Sequence, residues 1–221
     1  MFDFDGVIAN SEPLHLQAFQ DVLREESVAL TEADYYTHYL GFDDAGVFRA
    51  VSSDRGTPFS NQTIDDLVAR KAVRLEAIER HMSLLFPGAA DAIHRLAAVV
   101  PLAIASGALG REIRRILDRE QLTSAFTAIV PADAGLPPKP APDPYLQALA
   151  ELRAAHGDAF PAGACVAVED SKWGLQSARA AGLRTVAVTH TYPAAELADA
   201  DRVIVSLQEL TIDSLSSLVA R

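Results

Sequence analysis

The sequence predicts an α/β fold, a doubly wound parallel sheet with a small helical bundle inserted after the first strand. Three observations predict it. From about residue 99 onward, short apolar runs alternate with helical patterns, as buried parallel strands joined by helical crossovers do. Residues 11–85 interrupt this alternation with four helical patterns and no convincing strand. Ahead of that stretch, an apolar N-terminal segment carries acids at Asp3 and Asp5.

Taken in order, strands are expected at residues 1–5, 99–105, 128–131, 164–168, 185–188 and 202–205. Helices are expected between the later ones at 112–120, 144–155 and 172–181. Within the insertion, Leu14, Ala18, Val22 and Leu23 recur at helical spacing. Leu67, Val68, Ala72, Leu75 and Ile78 do the same over residues 64–78. An insertion of this length reads as a small helical bundle, with hinges at residues 9–13 and 86–88. The expected organisation is a core of residues 1–10 and 86–221 and a helical cap of residues 11–85. Only Met1 and Phe2 precede Asp3. Either upstream residues complete the first strand or this strand is unusually short.

Composition narrows the class. A chain of 221 residues with 49% apolar content suits a globular enzyme. No apolar run reaches membrane-spanning length, and the N-terminus shows neither a basic region nor a cleavage site. The single Cys165 forms no intramolecular disulfide and reads as a small core residue, so a reducing, cytoplasmic setting is expected. The net charge of −11 argues against nucleic acid or an anionic membrane as partner. A monomer is compatible with the sequence. A field of that sign also repels anionic substrates, so a phosphate-handling site would need local positive charge. Only three of the nineteen basic residues are lysines (Lys71, Lys139 and Lys172), and Lys139 stands out in a proline-rich loop.

The run Phe2-Asp3-Phe4-Asp5-Gly6-Val7-Ile8 is the most informative segment. In a strand, residues i and i+2 point to one side, so both carboxylates can face one reaction centre. Like charges that close are costly unless a cation lies between them or one keeps a proton. Both remedies suit a metal-assisted nucleophile beside a proton donor, although Asp-x-Asp-Gly also occurs in calcium loops and ordinary turns. Three further segments follow in order. Val100-Pro101-Leu102-Ala103-Ile104-Ala105-Ser106-Gly107 is an apolar run ending in a hydroxyl and a glycine. Pro137-Pro138-Lys139-Pro140-Ala141-Pro142-Asp143-Pro144 is a stiff loop with one lysine. Ala164-Cys165-Val166-Ala167-Val168-Glu169-Asp170-Ser171 is a buried-strand pattern ending in adjacent acids. Each has a plain alternative. Ser106 could close a local turn, Lys139 could be solvated, Glu169-Asp170 with Ser171 could cap the next helix, and Asp143-Pro144 reads as a helix cap followed by proline. The four segments nevertheless converge on the carboxyl ends of predicted strands, where open α/β sheets bind ligands.

Together these residues resemble the haloacid dehalogenase superfamily, and most closely its capped phosphatases and β-phosphoglucomutase-like enzymes. The resemblance runs from Phe2 to about Val205. It implies Asp3 as nucleophile, forming an aspartyl-phosphate, and Asp5 as general acid and base. It implies Mg²⁺ held by the Asp3 carboxylate, the Asp5 carbonyl and Asp170, with Glu169 binding directly or through water. Ser106 and the Gly107 N–H would donate to the phosphoryl oxygens, and Lys139 would bridge nucleophile and phosphate. His15 and Arg49 are candidate substrate contacts on the cap, His15 equally readable as structural.

The cap separates family members. The mutase motif Lys-Gly-x-x-Arg falls on Leu40-Gly41-Phe42-Asp43-Asp44, so the glycine matches and neither basic residue does. A second phosphate would meet Asp44, although Arg49 lies about one turn further on. The expected function is therefore Mg²⁺-dependent hydrolysis of a small organic phosphomonoester, with a phosphosugar mutase as alternative. A dehalogenase needs neither Asp5 nor the Glu169-Asp170 pair. A phosphonatase needs a cap lysine for a Schiff base, and Lys71 is poorly placed for one. A silent binding protein or receiver domain on this scaffold would not need the complete set of site residues.

Overall fold

The computed structural model describes residues 1–40, 42–80, 83–157 and 161–219. It divides into two compact units, Ser11–Ser83 on one side and Met1–Asn10 with Leu84–Arg221 on the other.

The smaller unit is helical. Helix α1 spans Glu12–Glu25, the short α2 (Glu32–Asp34) runs into a π-helical turn at Tyr35–Tyr39, and α3 (Asp44–Asp54) and α4 (Asn61–Glu79) follow. Three of these starts are fixed by side chains that accept an otherwise unpaired N–H of the first turn. Thr31 takes Asp34 N–H at 3.0 Å, Asp43 takes Gly46 N–H at 2.7 Å and Ser60 takes Thr63 N–H at 3.1 Å. The Ser60 cap starts α4 three residues before the apolar repeat at Ile64. Phe19, Leu23, Phe48 and Leu67 form the buried centre, with the Phe19 and Phe48 rings edge to face at 5.2 Å. Gly41, the glycine of the compared cap motif, lies outside the described residues.

The larger unit holds helices α5 (Ala89–Ala97), α6 (Gly110–Arg119), α7 (Asp143–His156), α8 (Lys172–Ala180) and α9 (Ile212–Val219) around strands β1 (Leu102–Ala105), β2 (Phe126–Val130), β3 (Val166–Glu169), β4 (Arg184–Val188) and β5 (Arg202–Ile204). β1 pairs with β2, and β3 with β4 and β4 with β5, all parallel. Phe2 joins the two groups, in parallel register with both Ile104 and Val168. Strand order therefore reverses on either side of the N-terminal segment, which puts Asp3 at the topological switch point.

The expected strand over residues 1–5 is shorter than the sequence suggests. Phe2 N–H donates to Ala103 O at 2.8 Å, Ala105 N–H donates to Phe2 O at 2.9 Å, and Asp3 N–H donates to Val168 O at 2.9 Å. The chain then turns away, with Ile8 and Ala9 N–H both donating to Phe4 O at 2.8 and 2.9 Å. Beside Met1 lies an apolar cavity of about 190 Å³ whose walls include Leu102, Val166, Ile212, Leu215 and Val219. The unit boundary also differs from the expected residue 86. Ala9 bridges Leu85 antiparallel, and Asn10 N–H donates to Leu84 O at 2.6 Å. That pairing ties Leu84 and Leu85 to the core. Asp143 is the first residue of α7, with no side-chain cap bond and Pro144 behind it, so it is helical where a cap was expected.

Candidate active site

The carboxyl ends of β1 and β3 and of the segment between them carry the candidate side chains Ser106, Glu169, Asp170 and Asp3. Asp3 N–H makes its ladder bond to Val168 O, which sets the residue at the switch point. Gly6 follows at φ +76°, a left-handed conformation that suits glycine, and a Cβ there would overlap the Asp170 carboxylate. The turn after the N-terminal strand therefore packs directly on the acid pair at the end of β3.

Lys139 is fixed among these acids. Its Nζ donates to Asp3 Oδ1 at 2.7 Å and to Glu169 Oε1 at 2.6 Å, and lies 4.9 Å from the centre of the Tyr145 ring. The Tyr145 hydroxyl donates to the same Glu169 oxygen at 2.6 Å. The proline loop that presents Lys139 is anchored from α8, where the buried Ser177 hydroxyl donates to Ala141 O at 2.6 Å. Lys139 is thus held by packing and hydrogen bonds at both ends.

Glu169 is fully buried, and its second oxygen, Oε2, finds no hydrogen-bond partner among the described residues. A buried carboxylate oxygen without a partner is costly and calls for a further positive group. Gly174 makes room for it, because a Cβ on that residue would overlap the Glu169 carboxylate. Asp170 accepts a hydrogen bond from the Thr191 hydroxyl. Neither acid caps α8. Ser171 does so, taking Gly174 N–H at 3.1 Å. Asp3, Glu169 and Asp170 each present an oxygen within 4.8 Å of the others. Several hard oxygen donors around one point, one of them a buried orphan, fit a divalent cation such as Mg²⁺.

The electrostatics point the same way. Burial opposes a charge on Lys139, but the Asp3 and Glu169 carboxylates outweigh it and hold its pKa above the ordinary lysine value. Burial pushes the Glu169 carboxyl up against the pull of Lys139. Asp170 is pushed up to about 6, first by burial and then by the charge on Asp3, with the Thr191 bond acting against them. Three acids around one ammonium leave a surplus of negative charge that a further cation would relieve.

Ser106 is buried at the end of β1, its N–H donating to Val130 O at 2.9 Å and its Oγ accepting Ala108 N–H at 3.1 Å. The local turn foreseen for this serine is present, and the hydroxyl proton is still able to donate. Gly107 follows it on the surface, and Asp5 is half-buried. His15 and Arg49 belong to the helical unit. There His15 Nδ1 lies 3.0 Å from Lys71 Nζ, Lys71 also donates to Asp44 Oδ1 at 2.7 Å, and Arg49 is exposed. Three participants escaped the sequence reading. Tyr145 falls in the helix expected over 144–155 and Gly174 in the one expected over 172–181, and nothing local singles out either. Thr191, in the loop after β4, could have been suspected from its place beyond a strand's carboxyl end.

Comparison with known proteins agrees with this geometry. Residues 1–188 match the family model of the haloacid dehalogenase-like hydrolases. The protein CbbY of Rhodobacter capsulatus is 33% identical over 199 residues, covering 87% of this chain and 85% of its own. Hexitol phosphatase B of Escherichia coli K12 is 27% identical over 224 residues, covering 100% and 94%. The crystal structure of CbbY from Rhodobacter sphaeroides in complex with phosphate superposes with a TM-score of 0.79 at 28% identity, covering 97% of both chains. On the family match, the sheet order and the acids at its switch point, the chain belongs to the haloacid dehalogenase-like hydrolases.

Proposed function

We propose that this protein is a Mg²⁺-dependent phosphatase that hydrolyses a small organic phosphomonoester through an aspartyl-phosphate on Asp3. The observation that carries the reading is Lys139 bonded to Asp3 within a cluster of three carboxyls, beside the buried orphan oxygen of Glu169. A phosphatase among the relatives, hexitol phosphatase B, and the phosphate-bound CbbY structure support a phosphate ester as substrate.

In this reading the Asp3 Oδ not bonded to Lys139 attacks phosphorus while the bond to the leaving oxygen breaks. Asp5, protonated, gives its proton to that oxygen. Water then attacks the phosphoryl group on Asp3. Asp5 takes the proton, and Asp3 is released with inorganic phosphate. Lys139 balances charge that builds on the phosphoryl oxygens, and Ser106 donates to one of them. Asp3, Asp170, Glu169 and the Asp5 carbonyl would hold Mg²⁺, which supplies Lewis-acid stabilisation of the transferring group. His15 and Arg49 are proposed as substrate contacts from the helical unit.

Hydrolysis is favoured over isomerisation by what stands at the compared cap positions. Leu40 is apolar, and Asp44 is an acid already paired with Lys71 at 2.7 Å. Neither offers the cationic site a second phosphate requires.

The test is phosphate release from a panel of small phosphomonoesters with Mg²⁺, with EDTA, and with Asp3→Asn. Turnover is expected only with metal and to fall by several orders of magnitude in Asp3→Asn. A folded Asp3→Asn protein with near-normal release would refute the mechanism.

A further inference from the structure

We infer that His190 is a positioning residue for Asp5, locking the turn that carries this acid onto the core. The inference rests on the phosphatase reading for what Asp5 does, and on geometry for how His190 acts.

His190 lies two residues beyond β4, at the same carboxyl edge of the sheet as the site. Its Nδ1 is 3.0 Å from the Gly6 carbonyl oxygen. A carbonyl only accepts, so Nδ1 must carry a proton and donate. Burial lowers the pKa of the ring, with the Gly6 bond acting against it, which is consistent with a neutral imidazole protonated at Nδ1.

The ring's face is committed as well. It stacks on Phe86, with centroids 3.8 Å apart and planes inclined by 16°. Phe86 N–H donates to Ile8 O at 2.9 Å. One imidazole therefore contacts both segments through which the chain leaves and re-enters the core, Gly6 through its nitrogen and Phe86 through its face. The next residue, Thr191, donates to Asp170. Two consecutive residues thus hold the turn after Asp5 and the acid pair ending β3.

The turn benefits from an external hold. Gly6 has no side chain and sits at φ +76°. Its N–H is used by Ala9 O at 2.9 Å, and its carbonyl by His190. Fixing that carbonyl fixes the orientation of the Gly6–Val7 peptide, and with the Gly6 N–H also bonded it holds Gly6 from both sides, directly after Asp5. Asp5 must deliver one proton and take another within hydrogen-bond reach, and small misplacements of such a group cost rate more than substrate binding.

The test separates bond from stack. In His190→Phe the stack on Phe86 is kept and the donor lost. In His190→Asn the amide nitrogen takes the place of Nδ1 and the stack is lost. With a phosphomonoester turned over by the wild type, His190→Phe should lower kcat about 30-fold with KM changed less than about twofold. His190→Asn should recover kcat to within about threefold of wild type. Unchanged kcat in His190→Phe, or His190→Asn as slow as His190→Phe, would overturn the inference. Independently of turnover, ¹⁵N NMR of the wild-type ring should show the Nδ1–H tautomer, and the Nε2–H tautomer would overturn it. A wild type that releases phosphate from no ester sinks the phosphatase reading instead, and the ring tautomer then decides the Gly6 bond by itself.

Discussion

Two of the three lysines in this chain are deeply placed, one in each unit, and their surroundings differ in charge balance. Lys71 is 1% exposed in the helical unit, with one carboxylate, Asp44, at 2.7 Å, the His15 ring at 3.0 Å and the Phe19 ring at 4.6 Å. Asp44 keeps about a third of its side chain in solvent. One carboxylate bonds that ammonium directly, and the charge on Lys71 also acts on the Glu12 carboxyl. Lys139 sits in the core among Asp3, Glu169 and Asp170, and one oxygen of Glu169 has no hydrogen-bond partner among the described residues. The first arrangement is complete as it stands. The second is electrostatically unfinished, and unfinished charge in a buried cluster marks chemistry more reliably than burial alone.

The comparison predicts a crossing of effects. Lys139→Met should lower kcat about 10²- to 10³-fold, as loss of a preorganised charge at a transferring group does. Lys71→Met should act mainly on stability. Removing the ammonium leaves Asp44 to rehydrate, at a cost of about 1–3 kcal/mol read from thermal or urea unfolding. If Lys71→Met abolishes turnover in a protein of unchanged stability, the contrast between the two lysines is broken.

A smaller effect sharpens the core side. Gly174→Ala forces a methyl into the Glu169 carboxylate, so it should cost about 1–3 kcal/mol and weaken Mg²⁺-dependent turnover. Gly56, at φ +74° with open space around it, is the control. Its change to Ala should cost about 1–2 kcal/mol through backbone strain alone and leave turnover intact. Equal kinetic effects from both substitutions would remove Glu169 from the account.

The smallest effect concerns the surface of the helical unit. Arg70 donates to Glu25, to Glu26 at 2.7 Å and to Asp66 at 3.2 Å. The Arg70 bond is foremost in holding the Glu25 carboxyl below its unfolded value of 4.5. A depressed acid contributes stability that is present above the unfolded pKa and lost as pH falls through the folded one. Wild type should therefore exceed Arg70→Met in melting temperature at pH 7 by a margin that shrinks below pH 4.5. A margin that grows on acidification would contradict this assignment.

Much of this arrangement is legible in the sequence, because the decisive patterns are local. Asp3 ends the short N-terminal strand, and Asp5 follows it into the turn. Ser106 and Glu169-Asp170 end apolar runs, and Lys139 is stiffened by its neighbouring prolines. The alternation of runs and helices then brings these ends to one edge. What escaped depends on contacts between distant segments. Tyr145 reaches Glu169 only through the crossing of α7 over the sheet, Gly174 matters because Glu169 points beneath α8, and Thr191 bonds across two loops. The first strand was overestimated because an apolar run does not reveal where ladder bonds end. Helix starts were missed where a polar cap such as Ser60 lies outside the apolar repeat.

The central claim is that the unfinished charge around Asp3 serves phosphoryl transfer onto Asp3 itself. The most direct measurement is to quench the enzyme in acid during steady-state turnover, reduce it with borohydride, and sequence the N-terminal peptide by mass spectrometry. Reduction converts a phosphorylated aspartate to homoserine. The account predicts homoserine at position 3 only when substrate and Mg²⁺ are both present, and none in Asp3→Asn. An enzyme that turns over while residue 3 remains aspartate throughout, or that carries homoserine at another acid, would contradict it.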